Sequence, residues 1–247
     1  MLMNYKCLGQ APAWPFKNYK NGQAGAWPRQ TMKTILILII TALATQSTVW
    51  AQSDQYKQAM KQAITTMQSR NEQSPIADML TSANQFERIA SAEPKEWLPR
   101  YYAGLNYVYL GFMGKDEAAK DKYLDQADVN LKAAESIAPD NDELAVLKAY
   151  IAQARMVVDP MNRWQQYGPL FQAGIEKAKS LNPNNPRPYA LEGSSLMYTP
   201  DQFGGGPTTA CPVLKQAVEK FATFKPTSDL SPLWGQKQIE PLLAKCK

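Results

Sequence analysis

Four stretches of this chain share one frame built around a proline, and that frame limits the fold more than any other feature. They are "QFERIASAEPKE", "NLKAAESIAPDN", "GIEKAKSLNPNN" and "AVEKFATFKPTS", with Pro94, Pro139, Pro183 and Pro226 spaced 43 to 45 residues apart. A bulky apolar residue stands eight before each proline (Phe86, Leu131, Ile175, Val218) and a packing residue five before it (Ile89, Ala134, Ala178, Phe221). A third stands two before it (Ala92, Ile137, Leu181, Phe224). Those spacings put three side chains on one helical face, and a proline cannot continue the helix it follows. A near-constant period of this size predicts stacked helical hairpins.

The beginning of the chain does not share the pattern. From Met32 it runs "MKTILILIITALATQSTVWAQS": a lysine, an apolar run from Ile35 to about Ala44, a polar stretch, then small residues around Ala51. This is the three-part pattern of a secretory signal over residues 32–51, with cleavage expected near Ala51. The apolar core is about half of the roughly 20 residues that spanning requires, so no stable membrane insertion is expected after cleavage. The 31 residues before Met32 contain no acidic residue and no convincing periodicity. They are expected to be an over-long start or, alternatively, a disordered tail. The remaining span, residues 52–247, is long enough for one elongated domain with a continuous core.

Trimming changes the electrostatics. Lys6, Lys17, Lys20, Arg29 and Lys33 all precede residue 52 and no Asp or Glu does, so removing them from 27 basic residues leaves 22 against 22 acidic ones. The net charge of +5 therefore belongs to the leader, and nucleic acid is not implied as a partner.

Apolar periodicity predicts nine helices: Gln55 to Ser69, Pro75 to Ala92, Glu96 to Phe112, Asp116 to Ile137, Asp142 to Met156, Gly168 to Leu181, Arg187 to Met197, Thr208 to Phe224, and an unpaired one from about Pro232 towards Cys246. No alternating strand pattern competes, so the expected class is all-α.

These hairpins resemble tetratricopeptide repeats (TPR). The first helices carry a small residue at Gly104, Ala149 and Gly193, the second an alanine at Ala134 and Ala178, and the proline follows. "YYAGLNYVYLG" with "LKAAESIAPDN" is the fullest match. The resemblance covers roughly residues 53 to 247 and implies an α-solenoid of four TPR-like hairpins plus a C-terminal capping helix. One departure is length, since a standard repeat of this family has about 34 residues. The excess falls in "MGKDEAAKD", "VVDPMNRWQQYG" and "YTPDQFGGGPTT", which are expected to emerge as loops on one edge.

Chemistry is thinly provided for. The chain has no histidine, which removes the commonest general base and metal ligand. "EGSSL" lacks the second glycine of a nucleophile elbow. Asp140, Asp142 and Glu143 sit at a helix start, where carboxylates favour the helix dipole. "FGGGPTTA" lacks the Lys-Ser/Thr pair of a P-loop, although exposed amides at Gly204, Gly205 and Gly206 could hold an anion. No enzyme, metal site or cofactor is expected.

Binding is expected instead. In TPR proteins the first helices line a concave groove, so the resemblance implies that Tyr101, Tyr102, Leu105 and Tyr109 face or border it, followed by Tyr150, Gln153, Arg187, Ser194 and Tyr198. Tyrosines combine contact area with a polar tip. A second surface is the loop edge with Arg163, Trp164, Tyr167 and Phe203. The expected function is an exported, periplasmic or secreted scaffold that binds an envelope protein or peptide. The alternative is a soluble carrier or transporter accessory holding a small anionic ligand. A closed pocket at the loop edge favours the carrier, and an open, flat edge favours the partner protein.

Cys211 and Cys246 are expected to pair. They are equidistant from the turn near residue 228 between the last two predicted helices, so an antiparallel hairpin brings them to one height. Pro241 is the obstacle, because it should kink the final helix.

Overall fold

The computed structural model describes residues 54–70 and 74–246, and the leader and signal-like segment lie outside the described residues. Every regular element among them is helical, in agreement with an all-α class. The helices are α1 (54–68), α2 (Ile76–Ala92), α3 (Leu98–Met113), α4 (Glu117–Ile137), α5 (Asp142–Val158), α6 (Pro160–Leu181), α7 (Arg187–Tyr198), α8 (Pro207–Thr223) and α9 (Gln236–Leu243), with one 3-10 turn at Asp201–Phe203.

Consecutive helices pair as hairpins, and α3, α5, α7 and α9 also touch in succession to form one face of a stack. The prolines end helices by a common device. At Glu93, Ala138 and Asn182, the residue just before Pro94, Pro139 and Pro183, the backbone N–H returns to the carbonyl four residues back, on Ile89, Ala134 and Ala178. The chain then leaves the helix. Starts are equally local: the side chain of Asp116 accepts from the Ala119 amide at 2.8 Å, and that of Asn141 from the Glu143 amide at 2.9 Å. Each satisfies an amide the helix leaves unpaired.

Phe86, Leu131 and Ile175 are buried, but Val218 is 37% exposed. The hairpin that would cover it is replaced by the eight-residue α9, whose Ile239 and Leu242 pack with Ala210, Leu214 and Ala217. Small residues set the helix separations. A Cβ on Gly193 would lie 2.7 Å from Leu214, and one on Gly174 2.9 Å from the Cβ of Ala149.

Two expectations need correction. The long repeats come mainly from long helices rather than loops. α3 and α4 are joined by three residues, and α5 and α6 by Asp159 alone. Asp159 accepts from the Asn162 amide, and Pro160 at the first helical position starts α6 eight residues before the expected Gly168. "VVDPMNRWQQYG" is therefore almost entirely helical, and Pro169 is accommodated inside α6. Of these three stretches, the α7–α8 connection, residues 199–206, is the one that forms a loop of any length. The last helix is also shorter than expected. Residues 224–235 form an irregular segment before α9, and Gly235, at φ 113°, turns into it.

Cys211 in α8 and Cys246, just beyond α9, are joined by a disulfide with Cα atoms 5.6 Å apart. Pro241 lies within α9, and the helix ends at Leu243, so Cys246 reaches its partner from a turn.

Candidate functional site

The face formed by α3, α5, α7 and α9 divides into a closed part and an open part. Tyr101 and Tyr102, expected to line an open groove, are buried, and Leu105 is fully buried with them. The cover is the chain's own segment 224–235. Leu230 enters the core formed by α1 to α5, and its carbonyl accepts from the Tyr102 hydroxyl at 2.8 Å. The Trp234 indole stacks on Tyr150 with centroids 5.3 Å apart and planes inclined by 16°. Asp229 meets Lys61 of α1 at 2.9 Å. Helix periodicity does not anticipate this cover, although Leu230 and Trp234 in the proline-rich "PTSDLSPLWG" are its signal.

Beneath the cover lies a polar network. Arg187, also expected in the groove, is fully buried, and its Nε donates to both carboxylate oxygens of Glu143 at 2.9 and 2.8 Å, with Nη2 bonded to the same group. Asn185 donates to Glu143 and to Asp142, each at 2.9 Å, and the Tyr101 hydroxyl donates to Glu143 at 3.4 Å. Glu143 is thus a buried counter-ion, not merely a helix-start carboxylate. Burial works to lower the Arg187 pKa, but the adjacent Glu143 carboxylate outweighs it and keeps the guanidinium charged. A carboxylate and guanidinium held together this tightly, with Arg187 inaccessible, make a structural pair and not a ligand site.

The open part lies towards α7 and α9. Tyr109 and Tyr150 are half-buried and meet edge to face at 6.1 Å, with Phe112 5.5 Å from Tyr150. Gln153 and Ser194 are half-buried, while Tyr198 is 71% exposed with the Lys245 ammonium 5.3 Å from its ring. This stretch offers aromatic surface, polar side chains and a cation. Burial raises the phenol pKa values of Tyr101, Tyr102, Tyr109 and Tyr150 well above the ordinary one, so these tyrosines stay neutral.

The expected loop edge divides differently. Arg163, Trp164 and Tyr167 belong to the first turns of α6. Arg163 makes a bidentate pair with Asp121 of α4 at 2.7 and 2.8 Å, which ties down its charge. Trp164 is 56% exposed and Phe203 74%, so the edge is open rather than closed around a pocket. The glycine tip offers no anion cradle. The amides of Gly204, Gly205 and Gly206 donate to carbonyls of Asp201, Pro200 and Thr199 in the tip and of Leu196 at the end of α7. The Asp201 carboxylate occupies the space where a Gly206 side chain would project, already placing an anion beside the start of α8. Between α1 and α2 a pocket of about 310 Å³ is lined by Arg70, Asp78 and hydroxyl groups of Thr66, Ser69, Thr81 and Ser82. Arg70 there donates inward to Asn106 at 2.7 Å and Ser82 at 3.2 Å.

No family model matches the chain, and no curated protein matches it. Among solved structures, the HusA haemophore from Porphyromonas gingivalis is similar, with a TM-score of 0.69 and 34% identity over 78% of this chain and 92% of that one. The chain belongs to the HusA family. Because the match takes in nearly all of HusA, the two share the helical stack as a whole and not one hairpin of it.

Proposed function

We propose that this chain is an exported, non-enzymatic carrier that binds haem or a closely related porphyrin on the open part of the α3–α5–α7–α9 face. The observation that carries the reading is the 34% identity to a haemophore across 92% of that protein. Of the two functions the sequence suggests, it favours the small anionic ligand over the partner protein. Export rests on the signal-like pattern of residues 32–51. No helix among the described residues is long and apolar enough to cross a membrane. The fold is proposed to be a TPR-like solenoid, supported by its hairpin order and by the serial contacts of α3, α5 and α7.

The residues present fit a porphyrin plane better than they fit its iron. With no histidine in the chain and both cysteines of residues 52–247 joined to each other, the axial ligands left are tyrosine, methionine and lysine. The phenols of Tyr109 and Tyr150 are neutral in the free protein, so either would have to give up its proton against the effect of burial to serve as a phenolate ligand. Recognition would then come from the half-buried Trp234, which itself stacks on Tyr150, and from the exposed ring of Tyr198, with the Lys245 ammonium placed to pair with a propionate. Titration with haemin and with iron-free protoporphyrin, followed by Soret absorbance, tests this. Both should bind, and Tyr198→Ala and Lys245→Ala should weaken both together. Failure of the folded protein to perturb either Soret band would rule the reading out.

A second reading is favoured by the open edge. Met161 is 83% exposed near Trp164 in the first turns of α6, a composition suited to an envelope protein or peptide. Loss of a pulled-down envelope partner on Trp164→Ala, with porphyrin binding intact, would support it.

A further inference from the structure

We infer that segment 224–235 is a strap clasped by the Cys211–Cys246 disulfide, and that reduction of this bond uncovers the tyrosine face of α3. The strap lies wholly inside the loop that the disulfide closes, between α8 and α9. Its contacts lie far away in the chain: Leu230 with Tyr102, Trp234 with Tyr101 and Tyr150, Asp229 with Lys61. Each ties the last hairpin to one of the first three. The strap has no helix or sheet hydrogen bonds of its own, and α9, which anchors its far end, has only eight residues and carries Pro241. A helix of that length is marginal alone, so its position depends on packing and on the covalent link. Cutting the link frees the strap's C-terminal end while leaving the α2–α6 hairpins chemically unchanged.

The chemistry is a two-electron exchange with a dithiol reductant. A thiolate of the reductant attacks one sulfur of the pair, the Cys211–Cys246 bond breaks, and the second reductant thiol displaces the mixed disulfide. The reductant leaves as its own disulfide, and the two cysteines each carry a proton as thiols. An oxidising compartment keeps the strap closed. The inference concerns contacts within this chain and stands whether or not the ligand is a porphyrin.

Hydrogen exchange, read by mass spectrometry on the oxidised protein, on the protein treated with dithiothreitol, and on the Cys211→Ser/Cys246→Ser double variant, tests it. Both reduced forms should exchange amides of residues 226–246 up to about 500-fold faster, the scale set by loop-closure entropy, with α2 to α6 unchanged. Re-oxidation should restore protection. Unaltered exchange in 226–246 would overturn the inference, because the strap would then be held by packing alone. An equal rise across α2 to α6 would also overturn it, because the disulfide would then be a general staple.

Discussion

The indole Nε1 of Trp234 donates to the phenol oxygen of Tyr101 at 2.7 Å, across 133 residues of chain. That phenol in turn donates to Glu143, so the strap, the second hairpin and the buried ion pair form one connected path. The strap therefore belongs to the folded core and is not a loose tail.

Shortening Trp234 should separate its two contributions. Trp234→Phe keeps a ring on Tyr150 but loses the donor to Tyr101, at a cost of about 1 kcal/mol. Trp234→Ala loses both, and with half-burial should cost about 2 kcal/mol. Urea denaturation followed by circular dichroism measures both, and equal losses would mean the stacking contributes little.

Breaking the buried pair should be more damaging. Glu143→Leu strands the Arg187 charge without a counter-ion and should destabilise by about 3 to 5 kcal/mol. The double change Glu143→Leu with Arg187→Met removes both charges and should cost less than the single. A double variant no more stable than Glu143→Leu would show that the loss arises from packing, not from the stranded charge.

That pair also shows how much of the molecule was legible in the sequence. Glu143 and Arg187 are 44 residues apart, one repeat period, as Glu87 and Asn130 are 43 apart and Asp121 and Arg163 are 42. Stacking brings equivalent levels of successive hairpins together, so a search for complementary polar residues one period apart would have found these contacts. The helices and their proline ends could be read because they depend on local geometry. The strap could not, because Leu230 and Trp234 are placed by contacts with residues more than 80 positions away and follow no period. For the same reason Tyr101 and Tyr102 read as an open surface when a distant segment covers them. Sequence length alone likewise could not distinguish an inserted loop from a lengthened helix at Pro160.

The edge formed by α4 and α6 should carry part of the acid sensitivity. Hydrogen bonds from Arg163 hold the Asp121 carboxyl below its ordinary pKa, against a smaller opposing effect of burial. The folded value lies below the unfolded one. Its stabilisation is therefore present above the unfolded value of about 4 and is lost as pH falls through the folded value. Because the site is partly solvated, Asp121→Asn should cost only about 1 kcal/mol at pH 7. The difference from the unaltered protein should vanish in stability curves measured below that window. A difference that persists at acid pH would point to lost shape complementarity instead.

Two glycines in helices should differ sharply in their response to alanine. At Gly168 in α6 a Cβ would meet nothing within 4 Å outside its own chain neighbours, but Pro169 follows and its ring crowds a preceding Cβ in helical backbone, so the propensity gain of up to about 1 kcal/mol should be largely offset and Gly168→Ala should be close to neutral. At Gly193 in α7 the same methyl would lie 2.7 Å from Cδ2 and 3.2 Å from the backbone nitrogen of Leu214, so α8 itself would have to move. The propensity gain is the same there, but overpacking of this kind costs about 1 to 3 kcal/mol and should win. α8 carries Cys211, so the displacement would also be felt at the disulfide and the strap beyond it. Thermal unfolding of the two variants side by side measures the contrast. A stabilised Gly193→Ala would mean that α7 and α8 are not held in the close contact that places the last hairpin.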